Sequence, residues 1–182
     1  MKEHASIFND VLGPVMIGPS SSHTAASVRI GRALRQMVAG KITFFQADFD
    51  PEGSLAASYI KQCSDIGLVG GLLGMDPTDS RLTKALEIAE DEGMTVFFRV
   101  IPFENTHPNT YKMTIKTDLG EELDVVALSV GGGMIEITEI NHFNVAITGG
   151  FYETLLFGKD LALLEAELPE KISKFCFATV SE

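Results

Sequence analysis

The chain has 182 residues, of which 45% are hydrophobic and 21% charged, and its formal net charge is −11. That apolar fraction supports a packed core and excludes global disorder, while the length suits one domain with a small appendage. The acidic balance, with no basic stripe to override it, argues against nucleic acid and against anionic membrane surfaces as partners.

The N-terminus, Met1-Lys2-Glu3-His4-Ala5, leads into mixed polar sequence with no apolar signal core. The longest apolar run, over 66–75, has 10 residues against the roughly 20 a membrane span needs. Cys63 and Cys176 are the two cysteines. They are too few for a disulfide framework, a four-cysteine zinc site or an iron–sulfur cluster, and they read as reduced thiols of a cytoplasmic protein.

In chain order, Gly13-Pro14 and Gly18-Pro19 are turn signals around a short apolar patch. Ala26, Ile30, Ala33, Leu34 and Met37 then share one helical face, and Gly40 is placed to end that helix as its C′ residue. Residues 42–49 read as a strand stopped by Asp50-Pro51. A second helix is expected from Gly53, with Leu55, Ala56, Tyr59, Ile60 and Cys63 as its apolar face. Gly67, Gly70, Gly71 and Gly74 follow, suited to close backbone approach. Asp76 as N-cap, with Pro77 at the first position, predicts a third helix carrying Leu82, Ala85, Leu86 and Ala89 inward and stopped by Gly93.

From residue 94 the period changes to that of strands, expected over 95–101, 111–117, 123–130, 134–140 and 143–148, with a hairpin turn at Asp118-Leu119-Gly120. The order is not the strict alternation of a doubly wound fold. It predicts an α+β domain over 1–148, with helices packed on a mainly antiparallel sheet, and a βαβ-like tail over 149–182 too short to hold its own core. The tail's elements are a strand over 151–157, a helix over 161–172 and a strand over 175–180.

Three clusters could carry chemistry. The densest is Gly18-Pro19-Ser20-Ser21-Ser22-His23-Thr24, just before the first helix. Free N–H groups and the macrodipole at a helix start attract anions, the hydroxyls add donors and acceptors, and His23 can exchange a proton near neutral pH. The same residues also read as an N-cap in which one serine caps and the others are solvated. His107-Pro108-Asn109-Thr110 offers an imidazole and an amide beside a restricted backbone, or is simply a turn before a strand. Ser129-Val130-Gly131-Gly132-Gly133 can line an anion site with backbone N–H groups, or is a tight strand connection. No Walker loop, dinucleotide fingerprint, zincin helix or nucleophile elbow occurs.

The segment over 13–24 resembles the opening of the β subunit, or β domain, of iron–sulfur L-serine dehydratases. Gly53-Ser54-Leu55-Ala56, Gly71-Leu72-Leu73-Gly74-Met75-Asp76-Pro77, His107-Pro108-Asn109-Thr110 and Ser129-Val130-Gly131-Gly132-Gly133 resemble the family's later blocks, in order. The resemblance implies conversion of L-serine to pyruvate and ammonia by a complex, inactive as the isolated chain, in which an α subunit supplies the cysteines of a [4Fe–4S] cluster. It also implies a fold similar to the regulatory substrate-binding domain of phosphoglycerate dehydrogenases, and an oligomer. On that basis His23 is the catalytic candidate. Ser20, Ser21, Ser22, Thr24, Gln62, Ser64, Asp65, His107, Asn109, Gly131, Gly132 and Gly133 are the substrate-binding candidates, and no metal ligand is expected in this chain. Two departures stand out. The family's Gly-His-Gly-Thr-Asp segment reads Lys61-Gln62-Cys63-Ser64-Asp65 here, so a histidine becomes Gln62, which cannot take a proton at neutral pH. The tail looks like a curtailed ACT element. The Gln62 departure leaves open a non-catalytic amino-acid- or anion-binding regulatory module as the alternative, whereas the curtailed tail argues against sensing through a full ACT module.

Overall fold

The computed structural model describes residues 14–104, 107–150 and 153–155. The chain divides into two compact units, Met1–Phe151 and Tyr152–Glu182. All elements below belong to the first. The expected tail helix and final strand, His4 and Cys176 lie outside the described residues, as does most of the expected strand over 151–157.

Six strands form one sheet: β1 (Ile42–Phe49), β2 (Thr95–Val100), β3 (Thr110–Thr117), β4 (Glu122–Gly131), β5 (Met134–Ile140) and β6 (Phe143–Ile147). Their spatial order is β2-β1-β3-β4-β5-β6, with β1–β2 parallel and the other four pairings antiparallel. The expected strands are thus present to within a residue or so at each end. The α+β class and the antiparallel bias stand, with the parallel β1–β2 pair as the addition. Asp48 and Arg99 face one another across that pair and form a two-pronged ion pair, both N–O distances 2.7 Å.

Strict alternation makes one face of the sheet apolar. Tyr111, Met113 and Ile115 on β3 and Leu123, Val125, Ala127 and Ser129 on β4 are buried, while Lys112 and Lys116 are exposed. Against the sheet pack α1 (Ala26–Met37) and α3 (Ala85–Asp91), while α2 (Ser64–Leu72) packs mainly on α1 and reaches the sheet where Ser64 meets Tyr111. Among the described residues no helix is long and apolar enough to cross a membrane.

Of the glycines over 66–74, Gly67 and Gly71 make the expected close approach on the α1 side, whereas Gly70 packs on the Leu82 side chain and Gly74 has nothing within 4 Å. A Cβ on Gly71 would lie 2.3 Å from the Val28 carbonyl oxygen, one on Gly31 2.2 Å from that of Leu68, and one on Gly67 2.8 Å from that of Thr24. The two helices therefore meet backbone to backbone along their shared length.

Four local expectations differ. Helix α1 ends at Met37 with Val38 extended, not at Gly40, because the Ala39 and Gly40 N–H groups are drawn to the Glu121 carboxylate at 3.0 and 3.1 Å. Residues 51–63 form irregular turns rather than a regular helix: N–H to carbonyl bonds reach back three, four and five residues, and Cys63 takes a left-handed conformation (φ 60°) before α2 begins. Ile60, expected inside, is exposed there, while Tyr59 packs on Phe49 with ring centroids 4.7 Å apart. Asp76 ion-pairs with Arg32 instead of capping. The cap falls to Asp79, which accepts from the Arg81 N–H at 2.9 Å and opens a 3₁₀ turn, Ser80–Lys84, ahead of α3. Leu86 is half out in solvent, while Leu82, Ala85 and Ala89 are buried and Gly93 (φ 79°) ends α3 as expected.

Substitution Gly71→Ala will force the helix backbones apart. It is expected to cost about 1–3 kcal/mol in urea unfolding, whereas Gly120→Ala, with nothing within 4 Å of its Cβ, carries only the backbone cost of its positive φ.

Candidate active site

The site begins where the chain approaches α1. The Ile17 N–H donates to the Pro77 carbonyl at 2.7 Å, and Gly18 (φ 124°) sits so close to Thr24 that a Cβ would meet its hydroxyl at 2.6 Å. Ser20 is extended, and Ser21–Ala25 winds as a single wide π-turn into α1. Such turns redirect side chains that a regular helix would carry elsewhere. No serine caps the helix. The Ser20 hydroxyl meets His23 instead, and that of Ser22 meets Ser20.

His23 is 9% exposed, with Ser20 Oγ 3.1 Å from its Nδ1 and Ser58 Oγ 3.2 Å from its Nε2. From this imidazole a closed circuit of hydrogen bonds runs through four distant parts of the chain. The Ser58 hydroxyl donates to the Ser54 carbonyl at 2.6 Å, and the Ser54 hydroxyl donates to the Asn109 side-chain oxygen. The Asn109 carbonyl accepts from the Ser129 N–H at 3.1 Å, and the Ser129 hydroxyl donates to the Ser22 carbonyl at 2.6 Å. Ser22 Oγ lies 3.4 Å from Ser20 Oγ, which returns the circuit to His23. Burial lowers the His23 pKa, so the ring is held neutral.

The glycine turn closes one side. Gly131, Gly132 and Gly133 all have positive φ. The Arg29 guanidinium, reaching from α1, donates to the Gly133 carbonyl at 2.8 Å. This draws the turn against the entry loop, where a Cβ on Gly133 would lie 3.1 Å from Pro14. The five segments singled out in the sequence thus converge on one place, with Pro77 anchoring the loop and the other four forming its walls.

A protein of Bacillus subtilis (strain 168) named "Probable L-serine dehydratase, beta chain" is 40% identical over 173 residues, covering 95% of this chain and 77% of its own length. The chain belongs to the L-serine dehydratase β-chain family. The L-serine dehydratase, beta chain, of Peptoniphilus asaccharolyticus is 35% identical over 148 residues, 81% of this chain and 66% of that one. No family model matches.

Within this β chain, Ser20, Ser22, His23 and Asn109 belong to the circuit, and Ser21, Gly131, Gly132 and Gly133 border it. The remaining candidates are placed differently. The Thr24 hydroxyl is fully buried and donates to the Gln62 carbonyl at 2.9 Å, so the pair joins the loop to the 51–63 turns through Gln62's backbone. Ser64 is fully buried, 3.4 Å from the Tyr111 hydroxyl, which Ser27 also meets at 3.1 Å. Asp65 is buried, accepts from the Ile66 N–H at 2.8 Å, and has its pKa raised chiefly by that burial. His107 turns onto its own segment, its Nδ1 accepting from the Asn109 N–H at 3.1 Å, and so shapes the turn that presents Asn109.

Ser129 opens one of the three clusters the sequence singles out and Ser54 lies in a family block, but neither is named there as a site residue, and Ser58 is not singled out at all. The signal for Ser58 is its four-residue spacing from Ser54, which puts both hydroxyls on one side of a helical turn. Among the described residues no three His, Cys, Asp or Glu side chains could together hold a metal ion. A cavity of about 380 Å³ lies elsewhere, bordered by Arg35, Lys41, Leu72 and Glu92, and shares no residue with the circuit.

Because burial lowers the His23 pKa, the unfolded chain binds the extra proton first as pH falls. His23's contribution to stability is therefore complete at neutral pH and declines below about 6.5. Urea unfolding at pH 5.0 to 7.5 should show wild-type stability falling over that range by more than that of His23→Gln, and parallel curves would refute it.

Proposed function

We propose that this β chain is one half of an L-serine dehydratase and acts with an α chain to convert L-serine to pyruvate and ammonia. The single observation that carries the reading is the closure of four separated family segments into one hydrogen-bonded circuit around a buried imidazole. Names of relatives that specify a β chain support the α partner. The resemblance assigns the complex a [4Fe–4S] cluster. The described residues of this chain do not fit one: they hold one cysteine, Cys63, and no three His, Cys, Asp or Glu side chains that could share a metal. The proposal therefore puts the cluster's ligands on the α chain. Fold kinship with the regulatory substrate-binding domain of phosphoglycerate dehydrogenases, an oligomeric assembly and a cytoplasmic setting belong to the same proposal.

The residues present suit this chemistry. A serine carboxylate would meet the N–H groups that open the helix after Ser20 and those of the Gly131–Gly133 turn, both of which attract anions. Loss of water from serine requires removal of the α-proton, and an uncharged imidazole can accept it. The neighbouring hydroxyls hold the ring in place.

A second reading, a regulatory amino-acid- or anion-binding module, is favoured by one observation: Gln62 stands where the resemblance expects histidine. Anaerobic co-expression with the α chain, followed by pyruvate release from L-serine, separates the two. Under the catalytic reading the complex forms and turns over, His23→Gln lowers kcat by about 100-fold or more, and Gln62→His raises it. Calorimetric binding of serine to the isolated chain, with an α complex that neither forms nor turns over, would favour the module.

A further inference from the structure

We propose that Ser58 fixes the His23 ring as the Nε2–H tautomer, so that the free base of the site is Nδ1 and it acts through the Ser20 hydroxyl. The tautomer follows from proton counting. Ser58 has one hydroxyl proton, and the Ser54 carbonyl, 2.6 Å away, has none to give. That proton is therefore spent on Ser54, and Ser58 can offer His23 only a lone pair. A lone pair 3.2 Å from Nε2 demands a proton on Nε2. In a neutral ring Nδ1 is then bare, and Ser20 Oγ, 3.1 Å away, is its donor. Ser22 in turn donates to Ser20 at 3.4 Å.

The direction of the whole row is thus set at its far end, by a backbone carbonyl in a turn that contains no titratable group of the site. Ser58 is a positioning residue: it touches His23 on the side away from Ser20. The irregular winding over 51–63 gains a purpose from this. The hydroxyl of Ser58 reaches back to the carbonyl four residues earlier, a bond that bends helical backbone, while its lone pairs stay aimed at the ring.

The consequence for the proposed reaction rests on the catalytic reading above. As a substrate C–H bond breaks, its proton passes to Ser20 Oγ while the Ser20 hydroxyl proton passes to Nδ1. The electron pair remains on the substrate carbon, Ser20 ends neutral and His23 ends as imidazolium, with its Nε2–H still on Ser58. His23 can therefore act without touching substrate, and Ser20 is the catalytic residue that does.

Nitrogen-15 histidine spectra of the full isolated chain at pH 7.5, with the His23 signals assigned by His23→Gln, test the tautomer without any substrate. The expected spectrum has Nε2 protonated and Nδ1 bare. A proton on Nδ1 overturns the proposal. In Ser58→Ala the preference should collapse toward a mixture, and Ser58→Thr, which keeps the hydroxyl, should restore it. An unchanged tautomer in Ser58→Ala overturns the role of Ser58. If that variant does not fold, the wild-type and Ser58→Thr spectra still decide. In the complex with the α chain, Ser58→Ala should lower kcat about tenfold or more with KM unchanged, and Ser58→Thr should recover it. Failure of Ser58→Thr to recover kcat overturns the positioning role. An inactive complex whose His23 shows the expected tautomer would count against the dehydratase reading and leave the tautomer standing.

Discussion

Helices α1 and α2 touch through their backbones, and the geometry of the imidazole site follows from that contact. Gly31, Gly67 and Gly71 leave no side chain between them, so carbonyl oxygens of each helix lie where a Cβ on the other would have to be. Any larger residue at these points would widen the crossing by more than a hydrogen bond can stretch. The consequence is felt at the helix starts. Gly67 packs on the Thr24 carbonyl, one residue after His23, and Thr24 bonds to Gln62 just ahead of α2. The crossing thereby holds the loop before α1 and the turns before α2 at a separation that lets His23 reach Ser58.

The sheet sets the remaining coordinates. Tyr111 and Ser129 both point to the buried face of β3 and β4. Tyr111 ties Ser27 of α1 and Ser64 of α2 to the sheet in the interior, while Ser129, at the end of β4, holds the Ser22 carbonyl. Hydroxyl groups thus join helices to sheet on two levels. The lower level is sealed and structural; the upper one is the circuit around His23. Buried polar networks of this kind are costly when one member is missing, which makes their members poor candidates for neutral substitution.

Much of this is legible in the amino-acid sequence. Period-two alternation located the strands closely because one face of the sheet is buried and the other is not. The glycine-rich run was read for close approach, and the hydroxyl-rich loop was singled out for chemistry on its composition. The helix ends were less legible, since they were settled by contacts distant in sequence. Gly40 does not end α1 because Glu121, about eighty residues away, captures the N–H groups beside it. Asp76 does not cap because Arg32 pairs with it. Residues 54–63 carry a helical apolar pattern, yet the pull of Pro108 on Ser54 and the left-handed Cys63 make them irregular.

The amino-acid order alone determined the α+β class, the strand positions, and that hydroxyls and an imidazole lie together before α1, because these are properties of neighbours along the chain. It could not say that Ser20 would face His23 instead of capping the helix, that Ser64 would be sealed beneath Tyr111, or that Ser54 and Ser58 would join the site. Those outcomes depend on where α1 and α2 cross and how far the β4–β5 turn reaches. Hydrogen bonds have a reach of about 3 Å, and only the packed chain brings groups 30 to 100 residues apart within it.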